Sequence, residues 1–136
     1  MPEPLARTAP APALVVAFTA RDITGVRRAV TRRAAGAGLQ GDRLHDFVLA
    51  VNEIVTNAVV HGGGRGELRL WDNGQIVECE VRDGGPGGAA EVAGDPPLGA
   101  GGRGLRLARL LVDRLHVRES PGATAVRLVA ALTGNA

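Results

Sequence analysis

The stretch Leu49–Gly64, LAVNEIVTNAVVHGGG, decides how the rest of the chain is read. Phe47 and Val48 just before it, then Val51, Ile54, Val55, Ala58 and Val59, recur at steps of three and four residues, the spacing that lines one side of an α-helix. Glu53, Asn57 and His61 fall at i, i+4 and i+8, which stacks a carboxylate, a carboxamide and an imidazole along one face. A carboxylate and a carboxamide one turn apart suit a divalent cation carrying nucleotide phosphates: hard oxygen ligands plus a group that accepts a proton or positions water. Three glycines after His61 stop the helix, as a left-handed C-terminal cap does. Taken alone, the same pair is an ordinary solvated helix surface, and His61 a complement to the helix dipole. The flanking sequence has to decide.

Composition bounds the choices. The chain has 136 residues, which predicts one compact domain, and 45% of them are hydrophobic. With one Trp, two Phe and no Tyr, the core must be aliphatic, and stacking of nucleic-acid bases on aromatic rings is nearly excluded. The net charge is +2 and all 16 basic residues are Arg, spread among acids with no phosphate-tracking stripe, so no direct nucleic-acid contact is expected. Having no Lys, the chain can hold neither a Walker-type lysine nor a Schiff base. Its single Cys, Cys79, cannot form an internal disulfide, which fits a reducing cytoplasm. No apolar run approaches the roughly 20 residues that span a bilayer, so no membrane insertion is expected. Nor does the start of the chain have the apolar core and cleavage site of a signal peptide.

Outward from the central helix, residues 1–13 carry Pro2, Pro4, Pro10 and Pro12 and are expected to be disordered, leaving 14–136 as the folded domain. Leu14–Thr19 reads as a first strand. Asp22 then reads as the N-cap of a helix over Ile23–Ala37, with Ile23, Val26, Val30 and Ala34 on its buried side. Arg27, Arg28, Arg32 and Arg33 decorate its outer face, either as a solvated surface or as a partner-docking one. A turn at Gly36–Gly41 leads to Asp42, the expected cap of the central helix.

Downstream, Glu67–Asp72 and Gln75–Arg82 alternate as two antiparallel strands around the hairpin turn Asp72-Asn73-Gly74. Val77, Cys79 and Val81 face inward, Glu78 and Glu80 outward, and Cys79 reads as an inert core residue. Asp83 closes the strand in a glycine-rich turn, where it either caps the turn or accepts a hydrogen bond from an exocyclic amine such as that of adenine. Gly88–Gly101 is a long Gly/Ala/Pro loop, of a length that is more often functional than idle. Gly99–Gly104 opens a helix that runs from about Gly104 to Val112, with Leu105, Leu107, Ala108, Leu111 and Val112 apolar. Its first N–H groups favour phosphate. Gly99, Gly101 and Gly104 also satisfy a dinucleotide-binding pattern, but a proline-rich loop rather than a strand precedes them. Strands at Leu115–Glu119 and Thr124–Leu132, joined by Pro121-Gly122, complete the chain.

Three boxes in order now carry a resemblance: E-x-x-x-N-A-x-x-H (Glu53, Asn57, Ala58, His61), D-x-G-x-G (Asp83, Gly85, Gly87) and G-x-G-L (Gly102, Gly104, Leu105). They resemble the GHKL ATP-binding superfamily over about residues 14–132. The phrase VNEIVTNAVVHG is most similar to stand-alone bacterial anti-sigma-factor serine kinases of the RsbW/SpoIIAB type. The resemblance implies an α/β fold, a two-layer Bergerat-type sandwich in which a mixed, mostly antiparallel sheet carries about three helices on one face. It implies ATP and Mg²⁺ as cofactors, with Glu53 as general base toward an acceptor serine and Asn57 as metal ligand. Asp83 would bind the adenine amine, Gly85 and Gly87 would shape that pocket, and Thr124 would assist it. Gly102 and Gly104, followed by Leu105, would cradle phosphate, and Gly88–Gly101 would be the lid. Relatives place a basic residue near the γ-phosphate, and Arg103 is the Arg available here, its direction not readable from sequence.

The function so implied is a cytoplasmic serine/threonine protein kinase that acts as an anti-sigma factor. It would phosphorylate a small anti-anti-sigma partner of the STAS type and sequester a sigma factor, with room for a homodimer. A second class is a regulatory module in which ATP gates partner affinity with little turnover; retention of Glu53 favours the kinase. A two-component histidine kinase would need a phosphoacceptor helix pair, and about forty residues before the central helix leave no space for one. His45 reads as a helix-surface residue.

Overall fold

The computed structural model describes residues 11–84 and 102–132. Strand β1 (Leu14–Thr19) passes through a short 3-10 turn at Ala20–Asp22 into helix α1 (Ile23–Ala37), and helix α2 (Gly41–His61) follows. Strands β2 (Arg65–Asp72) and β3 (Ile76–Asp83) form a hairpin, then come helix α3 (Gly102–Leu111) and strands β4 (Arg114–Ser120) and β5 (Ala123–Ala131). The five strands make one sheet in the order β1-β2-β3-β5-β4.

Every pairing in that sheet is antiparallel, which corrects the expectation of a mixed sheet. The connection through α3 does bring the chain back to run β4 in the direction of β3. Because β5 inserts between those two strands, no parallel pair arises. The expected two-layer α/β sandwich is otherwise what forms: α1 and α2 pack on strands of the sheet, and α3 packs on α2.

The core is aliphatic and lies between the helices and the inner sheet face. Val26, Val30 and Ala34 of α1 meet Phe47, Ala50, Val51, Ile54, Val55 and Ala58 of α2 over Leu68, Leu70, Val77, Cys79, Val81 and Leu128. The period of α2 thus buries the side it was expected to bury. On α3 the apolar stripe is narrower than its composition suggested. Leu105 and Ala108 are buried, whereas Leu107 and Leu110 are exposed.

Several local expectations change. Asp42 does not cap α2; the N-cap is Gln40, the helix starts at Gly41, and Asp42 lies in the first turn, where its charge still complements the dipole. Asp22 does stand at the N-cap of α1, but its carboxylate accepts from the Thr19 N–H (2.8 Å) and hydroxyl (3.1 Å) rather than from the helix. Helix α3 covers Gly102–Leu111 instead of starting at Gly104. The hairpin turn forms as expected: Asn73 Oδ1 accepts from the N–H groups of Gln75 (2.8 Å) and Ile76 (2.9 Å), and Gly74 takes φ 89°. Of the segment expected to be disordered, residues 1–10 lie outside the described residues. Ala13 extends the β1 edge through its N–H to the Leu70 carbonyl at 2.7 Å.

Glu80 is on the outer sheet face as alternation requires, yet it is only 3% exposed. Arg82 Nε reaches it at 3.2 Å and Arg127 at 3.5 Å, and Arg127 also holds Glu78 at 3.0 Å. The two guanidinium groups thus pair with a carboxylate that is buried on the outer sheet face.

Candidate functional site

The site begins where α2 ends. The Gly62 N–H closes the last turn on the Ala58 carbonyl at 2.9 Å, and the chain then turns through Gly63 (φ 95°) and Gly64 (φ 87°) into β2. Left-handed glycine immediately after the cap residue is the stop expected for this helix. Gly62 itself has φ −109°, open to any residue, so its small size answers a different demand. A Cβ built on it would stand 2.6 Å from both carboxylate oxygens of Asp83. The end of α2 is therefore seated directly on Asp83, joining the helix of Glu53 and Asn57 to the last residue of β3.

Asp83 belongs to a row that crosses the sheet. Phe18 pairs with Gly66, Gly66 with Asp83, Asp83 with Thr124, and Thr124 with Glu119. Gly66 is bare because its Cβ would meet the Phe18 ring at 2.7 Å and the Arg82 carbonyl at 2.6 Å. Thr124 is 8% exposed, and its hydroxyl oxygen is buried with no hydrogen-bond partner among the described residues. A buried hydroxyl left unbonded beside a carboxylate is costly unless a ligand completes it.

Glu53 and Asn57 are half-buried on the flank of α2, next to the buried stripe of Ile54 and Ala58, and His61 is exposed. Asn57 lies five residues before Gly62 and Glu53 nine, so they rise about 7.5 and 13.5 Å up the helix from the Asp83 junction. Gly102 and Gly104 fall in the first turn of α3, and Leu105 is in the core. Gly85, Gly87 and the Gly88–Gly101 segment lie outside the described residues, as does the Arg103 side chain. Cys79 is fully buried on the inner face; burial first, then the charges of Glu80 and Glu78, push its thiol pKa far up, so it has no thiolate chemistry to offer.

Two features of this site escaped sequence reasoning. Gly62 reads only as the first of three helix-stopping glycines, and nothing local discloses that Asp83 lies against it. Glu119 reads as a strand-end carboxylate, although its i+2 spacing from Val117 and Leu115 places it on the inner face.

The amino-acid sequence matches the histidine kinase-like ATPase domain family over residues 16–130. The chain belongs to that family. Membership of the histidine kinase-like ATPase domains implies ATP binding. No curated protein matches the chain by sequence. Among solved structures it is similar to the RsbU and RsbW domains of Rv1364c from Mycobacterium tuberculosis, with a TM-score of 0.64 and 22% identity over 88% of this chain. This chain spans 32% of that one. It is also similar to the Acinetobacter baumannii histidine kinase AdeS, with a TM-score of 0.55 and 13% identity, covering 96% of this chain and 74% of that one. These likenesses show a shared fold, the two-layer α/β sandwich. Among the described residues no helix is long and apolar enough to cross a membrane.

Proposed function

We infer that this domain is an ATP-dependent serine/threonine protein kinase acting as an anti-sigma factor, with a small STAS-type anti-anti-sigma protein as its phosphoacceptor and a sigma factor as its second partner. The observation that carries the reading is the junction of Asp83 with the end of α2, next to the unpartnered Thr124 hydroxyl. A carboxylate and a hydroxyl in adjacent strands fit the amine edge of adenine, and the helix that rises from them bears Glu53 and Asn57.

In this reading Asp83 accepts from the exocyclic amine and Thr124 completes the base contact. Asn57 offers its amide oxygen to Mg²⁺. Among the described residues no group of three or more His, Cys, Asp or Glu is placed to hold a metal, so the cation would arrive on the nucleotide phosphates. Gly102 and Gly104 leave the first N–H groups of α3 open to phosphate. Bound MgATP supplies the transferable phosphoryl group. Glu53 takes the proton from the acceptor serine hydroxyl.

Transfer of label from ATP to a partner serine, with and without Glu53→Gln, tests this function. The substitution keeps the shape but cannot accept the proton, so transfer should fall about a hundredfold or more while ATP affinity changes by less than about 1 kcal/mol. Parental rates in Glu53→Gln would remove Glu53 as the base. A parent that binds ATP but transfers no phosphate to a STAS-type partner would instead be an ATP-gated binding module.

A further inference from the structure

The helices pack on one face of the sheet, and the side chains that alternate away from them form the other. On that outer face Arg127 stands between Glu80 of β3 and His116 of β4, and Ala125 between Arg82 of β3 and Arg118 of β4. Ala125 is the small member of this neighbourhood. Above its methyl group lies a recess of about 340 Å³, bounded by Glu80, His116, Arg118 and Arg127. The main chain at Val117 completes the lining, since the Val117 side chain packs against the core.

One wall of the recess is held rigidly. Glu80 is buried, and a buried ion pair contributes little stability beyond what an apolar side chain would give. Its evident effect is to fix position: Arg82 and Arg127 both reach Glu80, and Arg127 also reaches Glu78. Two guanidinium groups thus answer two carboxylates. Arg118 has no acidic partner among the described residues, so the recess keeps one uncompensated positive charge. Arg114, four residues back on the same face of β4, has none either. The strand that carries both is the last of the sheet. An extended chain laid along such an edge gains main-chain hydrogen bonds and presents every second side chain to one face.

We propose that the outer side of β4 is a docking edge for an extended acidic segment of a partner protein. One carboxylate sits in the recess on Arg118, and a second, four residues away, meets Arg114. The single spare charge at the recess favours a monoanionic carboxylate over a phosphate dianion, and the planar guanidinium of Arg118 takes a carboxylate through two parallel N–H bonds. Charge on an edge strand also deters sheet-to-sheet adhesion, but that role needs neither a recess at Ala125 nor a buried Glu80 beside it. The edge lies on the opposite sheet face from Asp83 and Thr124, so the proposal does not depend on the nucleotide reading.

Titration of the ¹⁵N-labelled whole chain with a capped peptide, Thr-Val-Glu-Val-Thr-Val-Glu-Val-Thr, read by the amide shifts of residues 114–120, tests this. Saturable shifts are expected there, with affinity falling about tenfold in Arg118→Gln and about threefold or more in Arg114→Gln. Replacing both peptide glutamates by glutamine should weaken binding about tenfold or more, and Arg118→Gln should then add less than about twofold. Ala125→Leu, which fills the recess and leaves every charge in place, should also weaken binding about tenfold. Arg106→Gln, on α3, should change nothing. Thermal melts establish that each variant is folded. The proposal is overturned if no saturable shifts appear at β4, if the glutamine peptide binds as well, or if folded Arg118→Gln and Ala125→Leu bind like the parent. Inorganic phosphate that displaces the peptide at equal concentration would overturn the choice of a carboxylate. The same amides moving with protein concentration alone would make the occupant a second copy of this chain, and would overturn the partner.

Discussion

Gly62→Ala probes the seat of α2 on Asp83, and its cost can be worked from the structure. The backbone there, φ −109°, accepts alanine, so no strain arises from the dihedral. The new Cβ would stand 2.6 Å from both Asp83 oxygens. Non-bonded heavy atoms rest at about 3.5–4.0 Å, so the carboxylate or the helix end must shift by about 1 Å. Overpacking of this kind costs about 1–3 kcal/mol. Loss of glycine's freedom in the unfolded chain returns about 0.4–1 kcal/mol. The expected net destabilisation is about 1–2 kcal/mol, or roughly 3–10 °C in Tm for a domain of this size. ATP affinity should fall with it, since the displaced group is the one assigned to the base. In an Asp83→Ala background the obstruction is gone, and Gly62→Ala should become neutral or slightly stabilising. Urea denaturation of the four proteins gives the coupling directly. An equal cost of Gly62→Ala in both backgrounds would refute the contact as the reason for this glycine.

Other perturbations separate fold from site. Ile54 is 2% exposed, so Ile54→Ala should cost about 2–4 kcal/mol in denaturation, whereas half-buried Asn57→Ala should cost less than about 1 kcal/mol yet abolish the Mg²⁺-dependent part of ATP affinity. The reverse ranking in melts would mean that the functional face of α2 is misassigned. Asp83→Asn should weaken ATP binding by about 2–4 kcal/mol by calorimetry, because a pure acceptor is replaced by a group that can also point N–H at the amine. Asp113 is a pH probe. The Ala131 N–H at 2.7 Å, and after it Arg43 at 2.9 Å, hold its carboxyl below the ordinary 3.8. A depressed pKa contributes stability that is fully present above the ordinary value and is lost as pH falls through the folded one. Both side chains are about half exposed, so Asp113→Asn should cost under about 1 kcal/mol at pH 7, and its stability curve should meet the parent's below about pH 3.8.

Much of this protein was legible before folding because its signals are local. The 3.6-residue period of Phe47–Val59 and the two-residue alternation of Leu68–Leu70 and Val77–Val81 each require burial of one side, whatever that side meets. The hairpin at Asp72-Asn73-Gly74 and the glycine stop after His61 depend on backbone dihedrals that few residues adopt. The order of the three boxes pointed to the ATPase family on the same footing. Helix caps were less secure: Asp22 and Asp42 are both good capping residues, and which backbone groups they meet depends on whether the preceding turn already occupies the carboxylate.

The tertiary structure alone decided what lies next to what. Antiparallel pairing throughout follows from β5 entering between β3 and β4, a choice among long-range partners that no window of sequence contains. The pairing of buried Glu80 with Arg82 and Arg127 follows from β3 and β5 lying side by side. Gly62 and Asp83 are 21 positions apart, Asp83 and Thr124 are 41, and only the sheet register places Glu119 beside Thr124. Periodicity records which side of an element is buried; it does not record the register between elements. Register is settled by the sum of packing on the shared core, and the candidate base pocket is built from that register.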